Sequence, residues 1–458
     1  MRLLGRVRSL ALIAVFASVG CTDAPNERAP HAGTDVVIVL IDTLRPDHLG
    51  FYGHERETAP FLAERALNAA LFDRAYSTSS WTAPATASLF TGLYPKRHGV
   101  VAGFFVEDNK PGKNSMPVSL EMSLSRLPAT IPGIASLLGE AGYRTYGIAT
   151  NTHISPELGF DSGFDRFVYL RKATVEEVSA TLREWAPGML ASPDPTFLYL
   201  HLNDVHGPYK RHAPWYREKR DSLRDEISAY DSGISYLDAG LEKIATELDW
   251  NDDTLFVVVS DHGEEFREHG GIHHRGGLHQ ELTRVLLMIS GPGIKAQRIT
   301  TDVSLIDVLP TTLELAGIDL PLGRDGVSLV PLLAGDPPST DFTDRVLFAH
   351  RLEKAKRFGD ETWAAIRGRW KLIDGVKGTE LFDLDNDFFE QTDRLAQQPK
   401  EAEALRSRLF DFENQRHELD EDTTVPIAID SEMRQHLEEL GYVDDGGGEK
   451  ANSSPESD

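Results

Sequence analysis

The stretch Ser79-Ser80-Trp81-Thr82-Ala83-Pro84-Ala85-Thr86-Ala87-Ser88-Leu89-Phe90-Thr91-Gly92 carries a hydroxyl where a loop turns into a helix. Pro84 stands just ahead of a short run of good helix formers that Gly92 ends, which predicts Thr82 at the helix mouth. Free backbone N–H groups at such a mouth attract anions, and a hydroxyl held there could attack a bound phosphate or sulfate. The helix end itself contributes only about 0.3–1 kcal/mol, so a stronger activator is needed. A divalent metal, acting as Lewis acid and hydroxyl activator, supplies several kcal/mol. Ligands for one are present. Asp42, Asp261 and His262 are hard-to-borderline donors, and with the Thr82 oxygen they would bind one divalent cation that also holds the nucleophile. His206 and His274 could neutralise the substrate or protonate the leaving oxygen. The purely structural alternatives are a Thr82 that caps its helix and histidines that sit hydrogen-bonded at the surface.

These residues are far apart in sequence, so a scaffold must gather them. Apolar, β-branched runs occupy 36–41, 144–149, 196–202, 254–260 and 285–290. Near-continuous hydrophobicity over so few residues predicts strands buried on both faces, hence an α/β fold with a mostly parallel central sheet covered by helices. Helical patterns fall at 60–70, 131–141, 174–190, 225–248 and 305–316. Asp42 follows the first strand, Asn151 and His153 the second, Asn203, Asp204 and His206 the third, and Asp261 with His262 the fourth. In open α/β sheets ligands bind outside the carboxyl ends of the strands, so these groups should converge on one rim. After about residue 340, short alternating runs at 346–350, 362–367, 370–374 and 380–384, then a helical pattern at 400–415, predict a small antiparallel sheet with a helix against it. The organisation expected is a signal peptide at 1–20, a lipidated cysteine and tether at 21–35, a catalytic domain at 36–339, a C-terminal subdomain at 340–445 and a disordered Gly- and Ser-containing tail at 446–458.

The 458 residues include 47 Lys plus Arg against 72 Asp plus Glu, a formal charge of −25. Such a balance excludes nucleic acid as the main partner, since a phosphate backbone wants a basic surface, but it permits one anionic group bound locally by a metal. Arg2, Arg6 and Arg8 precede an apolar run at 10–19 that is too short to span a bilayer and reads as a signal peptide. The run stops at Ser18-Val19-Gly20-Cys21, which resembles the lipobox of bacterial lipoproteins with Ser18 in place of the usual Leu. Cys21 is the only cysteine, which excludes an intramolecular disulfide and argues against a zinc–thiolate site. Several acyl chains on Cys21 would anchor the chain stably in a bacterial envelope membrane, facing the periplasm.

Seven passages in order resemble the sulfatase family of the alkaline phosphatase superfamily: the one from Ile41-Asp42-Thr43-Leu44-Arg45 to Gly50, the Thr82 passage through Gly99, Asp204-Val205-His206-Gly207-Pro208-Tyr209, Ser260-Asp261-His262-Gly263-Glu264, Ile306-Asp307-Val308-Leu309-Pro310-Thr311-Thr312, Glu380-Leu381-Phe382-Asp383-Leu384, and Leu440-Gly441-Tyr442-Val443. The resemblance implies a metal-dependent ester hydrolase with an α/β sandwich and a small C-terminal antiparallel subdomain. It implies calcium as the usual ion, sometimes manganese or zinc, and an anionic ester substrate on a glycan, lipid or small molecule. Three departures stand out. The Cys/Ser-x-Pro-x-Arg motif, whose first residue becomes formylglycine, is Thr82, Pro84 and Thr86 here, and Thr43 replaces a second aspartate. A formylglycine hydrate sheds sulfate by collapsing to the aldehyde, whereas a threonyl ester must be cleaved by water or another acceptor. The nucleophile therefore leans toward phosphate or phosphonate esters while the family leans toward sulfate. A non-catalytic binder of anionic glycans or lipid head groups, or a phosphoglycerol- or phosphoethanolamine-type transferase, are the alternatives. For the anchor, Cys21→Ala is expected to move the protein from the membrane to the soluble fraction of fractionated cells; unchanged sedimentation with membranes would refute lipidation.

Overall fold

Val36-Val37-Ile38-Val39-Leu40-Ile41 has no polar side chain to offer solvent, and all six residues are buried. In the computed structural model this segment is a central strand. The structure describes residues 33–101, 121–274, 276–352, 361–375, 378–415 and 424–428. The signal peptide, Cys21, all but the end of the tether, the 440–443 motif and the tail lie outside the described residues. Strands β1 (Val36–Ile41), β2 (Ala70–Phe72), β3 (Arg144–Ala149), β4 (Arg166–Tyr169), β5 (Thr196–Leu202), β6 (Leu255–Ser260), β7 (Leu287–Ser290) and β8 (Gln297–Ile299) form one sheet in the order β8-β2-β7-β6-β1-β5-β3-β4. All neighbours of β1, β3, β5 and β6 are parallel except at the β6–β7 pair.

β7 corrects one expectation. The apolar run at 285–290 is two strands: Arg284–Val285 pairs with Ala75–Tyr76, and Leu287–Ser290 runs antiparallel to β6. Leu286 sits at the break, its N–H donating to Ser260 Oγ at 2.9 Å. Among its described residues the connection from β6 holds a hairpin, Glu265–Phe266 with Ile272–His273, the single turn α6 (Gln280–Thr283) and the short Arg284–Val285 strand. Without a crossover helix to carry the chain back to the starting edge, the return strand is antiparallel.

Helices cover both faces. On one lie α2 (Thr82–Thr91), α3 (Ile134–Glu140) and α7 (Val308–Leu315), which bury Ala85, Leu89, Ile134, Leu138, Val308 and Leu309 against the even-numbered side chains of β1. On the other lie α1 (Pro60–Ala66), α4 (Val175–Leu190) and α5 (Ser222–Glu247), which bury Leu62, Val178, Leu182, Ile234 and Leu241 against the odd-numbered ones. The ends of these helices follow local chemistry. Thr174 makes a capping box with Glu177 at the start of α4, and the Asp221 carboxylate accepts from Arg224 N at 2.9 Å at the start of α5. None of the described helices is long and apolar enough to cross a membrane.

The expected C-terminal sheet is present as an antiparallel meander of β9 (Leu347–Leu352), β10 (Glu361–Arg367), β11 (Trp370–Gly375) and β12 (Gly378–Asp383). One face carries Trp363, Ala365, Leu372 and Leu381 and takes Leu405, Leu409 and Phe412 of α8 (Pro399–Glu413). The opposite face, Ala364, Ile366, Ile373 and Phe382, packs on Tyr76 and Leu278 of the main body. Lys371 is wholly buried at this junction, its Nζ 2.9 Å from Glu390 Oε1 and 3.1 Å from Thr283 Oγ1. Removing one partner of a buried pair leaves the other charge uncompensated, so Lys371→Met is expected to lower unfolding stability by about 3–5 kcal/mol. Denaturant melts would show Lys371→Met combined with Glu390→Gln recovering much of that loss; a double variant as unstable as the single one would refute the pairing argument.

Candidate active site and metal centre

Register decides which strand-end residues meet. Ile41 lies opposite both Leu202 and Ser260, so β1, β5 and β6 end in one row, and Asp42 N extends the ladder by donating to Leu202 O at 2.9 Å. Side chains alternate between the faces of a strand. Asp42 therefore shares the face of Leu40, Asp261 that of Val259, and His201, paired with Leu40, lies on the same face one residue inside the sheet. This is the face that α2 covers, with Thr82 at its first turn.

Trp81, in extended conformation, is the N-cap residue of α2, and Thr82 is the first helical residue. Capping is therefore not the role of the Thr82 hydroxyl. Its Oγ1 lies 3.4 Å from His262 Nε2 and 3.5 Å from Asn151 Nδ2. His262 Nε2 is in turn 3.6 Å from Asp42 Oδ1 and 3.5 Å from Asp261 Oδ2. The structure thus gathers all four residues named as ligands, and all four are fully buried. It adds two more. Asn151 Nδ2 donates to Asp42 Oδ2 at 2.7 Å and so orients that carboxylate. His201 Nε2 lies 3.6 Å from Asp42 Oδ2. Sequence reasoning saw Asn151 only as a strand-end group and missed His201, which hides inside the apolar run of β5. The signal was there: an imidazole facing into a buried strand needs a polar partner.

The electrostatics of this cluster fit a divalent cation. Asp42 Oδ1 and Asp261 Oδ2 accept no hydrogen bond among the described residues, and neither ring nitrogen of His201 is hydrogen-bonded. Burial, reinforced by the neighbouring Asp261 charge, pushes the Asp42 carboxyl well above its ordinary range. Burial pushes the His201 imidazole down to about 4, which keeps its ring neutral with a lone pair to offer. One ligand atom each from Asp42, His201 and Asp261 lies within 4.8 Å of the others. Orphaned carboxylate oxygens and a neutral imidazole around one point are what a bound cation would satisfy. The turn that aims Asp42 is strained. Thr43, β-branched, sits at φ 60°, held by Tyr230 OH donating to its carbonyl at 2.8 Å and by its own N–H donating to Asp261 Oδ1 at 3.2 Å. Such a conformation costs of order 1–3 kcal/mol and persists where the surroundings over-determine it.

His206 and His274 belong to the same cluster. The His274 ring centroid lies 4.6 Å from that of His262 and 4.9 Å from that of His206, and both residues are buried, so neither is a surface histidine. His274 Nδ1 faces Glu264 Oε1 at 2.8 Å, and His206 Nδ1 faces the Gly207 carbonyl at 2.6 Å. Burial pushes His206 down, and His274 to about 3 against the opposing pull of Glu264. Glu264 stood within a recognised motif without an assigned role; here it fixes the orientation of His274. A surface cavity of about 790 Å³ lined by Phe61, Arg65, Trp250, Asn251, Ser290 and Gly293 holds none of these residues and lies at the amino end of β6, opposite the strand-end rim.

A mostly parallel α/β sheet whose carboxyl-end rim joins a helix-mouth hydroxyl to carboxylates and imidazoles is the layout of an alkaline-phosphatase-type hydrolase. The profile of the sulfatase family matches residues 34–318, more than half of the chain, and the chain belongs to that family of ester hydrolases. Residues 267–417 also match the family described as N-sulphoglucosamine sulphohydrolase, C-terminal. The chain is similar to a choline-sulfatase of Rhizobium meliloti, 37% identical over 188 residues, which cover 39% of this chain but only 35% of that protein. It is 23% identical to a Delta 4,5-hexuronate-2-O-sulfatase of Bacteroides thetaiotaomicron over 87% of this chain and 92% of that one. It shares the fold of a phosphonate monoester hydrolase of Agrobacterium radiobacter, with a TM-score of 0.67 at 18% identity over 86% of this chain and 99% of that chain.

If the buried carboxylates await a cation, metal binding must stabilise the fold. At a concentration about 100-fold above Kd the gain is about 2.7 kcal/mol, a rise of several degrees in Tm. Stripping with a chelator and restoring Ca2+, Mn2+ or Zn2+ should lower and then raise the melting temperature, and Asp261→Asn should diminish the response. A melting temperature indifferent to chelator and to all three ions would refute the site.

Proposed function

We propose that this protein is a metal-dependent hydrolase in which Thr82 attacks an ester of phosphate, phosphonate or sulfate and carries the transferred group as a threonyl ester. The observation that supports this best is the meeting of the Thr82 hydroxyl with His262, Asp42 and Asp261 at one buried point. Asp42, Asp261, His262 and Thr82 would hold the ion, with His201 as a further donor. Bound there, the ion supplies Lewis-acid polarisation and lowers the pKa of the hydroxyl. The two imidazole nitrogens in this donor set favour a borderline ion such as Zn2+ over the calcium that the family resemblance suggests.

In the first half-reaction the Thr82 Oγ1 bond to phosphorus or sulfur forms as the bond to the leaving oxygen breaks. The hydroxyl proton passes to the imidazoles of His274 and His206, which burial holds neutral, and from there to the leaving oxygen. In the second, water cleaves the threonyl ester and returns a proton to Oγ1, releasing the inorganic anion or phosphonate. Threonine has no aldehyde to collapse to, so the second half-reaction requires attack at phosphorus or sulfur itself. That is ordinary chemistry at phosphorus, which directs the substrate choice to phosphate or phosphonate esters ahead of sulfate.

Purified protein assayed with matched aryl sulfate, phosphate monoester, phosphate diester and phosphonate substrates decides the class. Thr82→Ala is expected to reduce turnover by at least about 10³-fold while keeping the metal-dependent rise in melting temperature. Mass spectrometry of quenched reactions should find the transferred group on the Thr82 peptide. Turnover undiminished in Thr82→Ala would refute the nucleophile, and tight binding of a phosphorylated or sulfated ligand without product would establish a non-catalytic binder instead.

A further inference from the structure

A second group of donors meets where the hairpin that follows β6 folds against α6. His269, His279 and Glu281 each present one ligand atom, and the three lie within 4.8 Å of one another. Glu281 is buried, with Oε1 2.7 Å from His269 Nδ1, while its Oε2 accepts no hydrogen bond among the described residues. His269 Nε2 faces the Glu390 carbonyl at 3.1 Å. A carbonyl only accepts, so Nε2 carries a hydrogen and Nδ1 is the nitrogen aimed at whatever bridges it to the carboxylate. This is the arrangement by which a carbonyl orients a metal-binding histidine. The His279 ring is stacked on that of His269 with centroids 3.6 Å apart.

A proton can bridge the same two groups. Against the lowering effect of burial, Glu281 raises the His269 imidazole to about 9. That proton satisfies Oε1 and leaves a buried carboxylate oxygen without a donor, which native structures rarely tolerate. A comparison within the molecule is informative. His48, His54 and Asp231 form a similar cluster, but there Arg56 Nη1 lies 2.9 Å from Asp231 Oδ2, so a guanidinium already fills the place of a cation. Among the described residues no lysine or arginine pairs with Glu281.

We propose that His269, His279 and Glu281 form a second metal site, independent of Thr82 and its ligands, that binds a borderline divalent ion of the zinc type. Two imidazoles and a carboxylate are a donor set suited to such an ion, with a coordination position left for water. The site lies directly behind the first. Gly263 N donates to Leu282 O at 2.9 Å, and a Cβ at Gly263 would run into the Glu281 carbonyl, so the backbone of α6 is pressed against the loop that carries Asp261 and His262. An ion on Glu281 would tie the hairpin to α6 and steady that loop.

The experiment is a Zn2+ titration of the metal-stripped full chain, with stoichiometry from calorimetry and from metal retained after desalting. The wild type is expected to bind two equivalents, Asp261→Asn one, and His279→Ala one. Retention of the wild-type stoichiometry by both His279→Ala and Glu281→Gln overturns the proposal. If only one equivalent binds and it is lost in His279→Ala but not in Asp261→Asn, the second site stands and the Thr82 site is the one that fails. Should His279→Ala lose its folded circular-dichroism spectrum, Co2+ added to Asp261→Asn decides: a ligand-field band from nitrogen and oxygen ligands supports the site, and its absence overturns it.

Discussion

Two carboxylates held side by side in the core set the terms for the rest of this structure. Asp42 and Asp261 leave adjacent parallel strands in the same row and on the same face, and both are fully buried. Among the described residues no lysine or arginine pairs with either. Burying one isolated carboxylate is costly and burying two in contact more so, which leaves protonation or a cation as the ways to keep the arrangement. The surroundings favour the second. Asn151 donates to Asp42, and the N–H groups of Thr43 and His262 donate to Asp261, all of which stabilise charged rather than neutral carboxyls. A protein that meant to protonate these groups would not surround them with donors.

The same constraint explains why Thr82, the proposed nucleophile, stands on a helix start. α2 must cover the even-numbered face of β1, and its alanines, Ala83, Ala85 and Ala87, allow the close approach that brings Thr82 to His262. Gly92, at φ 65° against Leu309, turns the chain out of α2 in the left-handed conformation that a glycine adopts without strain. One turn along from Thr82, the buried Thr86 stands where the family pattern has arginine. A short hydroxyl there cannot steady an aldehyde hydrate as a guanidinium does, so Thr82 and Thr86 depart from the formylglycine pattern together. The replacement of the second aspartate by Thr43 fits the same proposal: were His201 and His262 to supply nitrogen donors, a further carboxylate would add negative charge that a borderline ion would not need.

Much of this was legible in the sequence because both scaffold and site follow from simple periodicities. Runs as apolar as 36–41, or as 196–202 around its single histidine, could only be buried strands, and the ligand-type residues just after them had to lie on one rim. Helices with clear amphipathic stripes and caps, α4 and α5 above all, fell within a few residues of expectation. The misses share a cause: they depend on contacts between distant segments. The three-residue strand β2 exists because β7 offers it an edge, β8 because β2 offers the next, and the break at Leu286 depends on Ser260 across the sheet. His201 was overlooked because its partner Asp42 is 159 positions away in sequence and becomes a neighbour only once β1 and β5 pair. Hydrophobic pattern reports which face of a strand is buried; it cannot report that one polar member of that face is meant to meet another.

The C-terminal sheet is more than a cover. Its inner face packs on Leu278, just ahead of α6, and Lys371 and Glu390 reach Thr283 and the N–H of Gln280 within that single turn. α6 in turn holds Gly263 through Leu282. A chain of direct contacts therefore runs from β11 through a buried ion pair to the loop bearing Asp261 and His262. A four-residue helix has too few internal hydrogen bonds to persist alone, so its geometry, and with it the placement of two candidate ligands, is set by what grips it from both sides. The small sheet thus helps position the candidate centre although none of its described residues is among the candidate ligands of that centre.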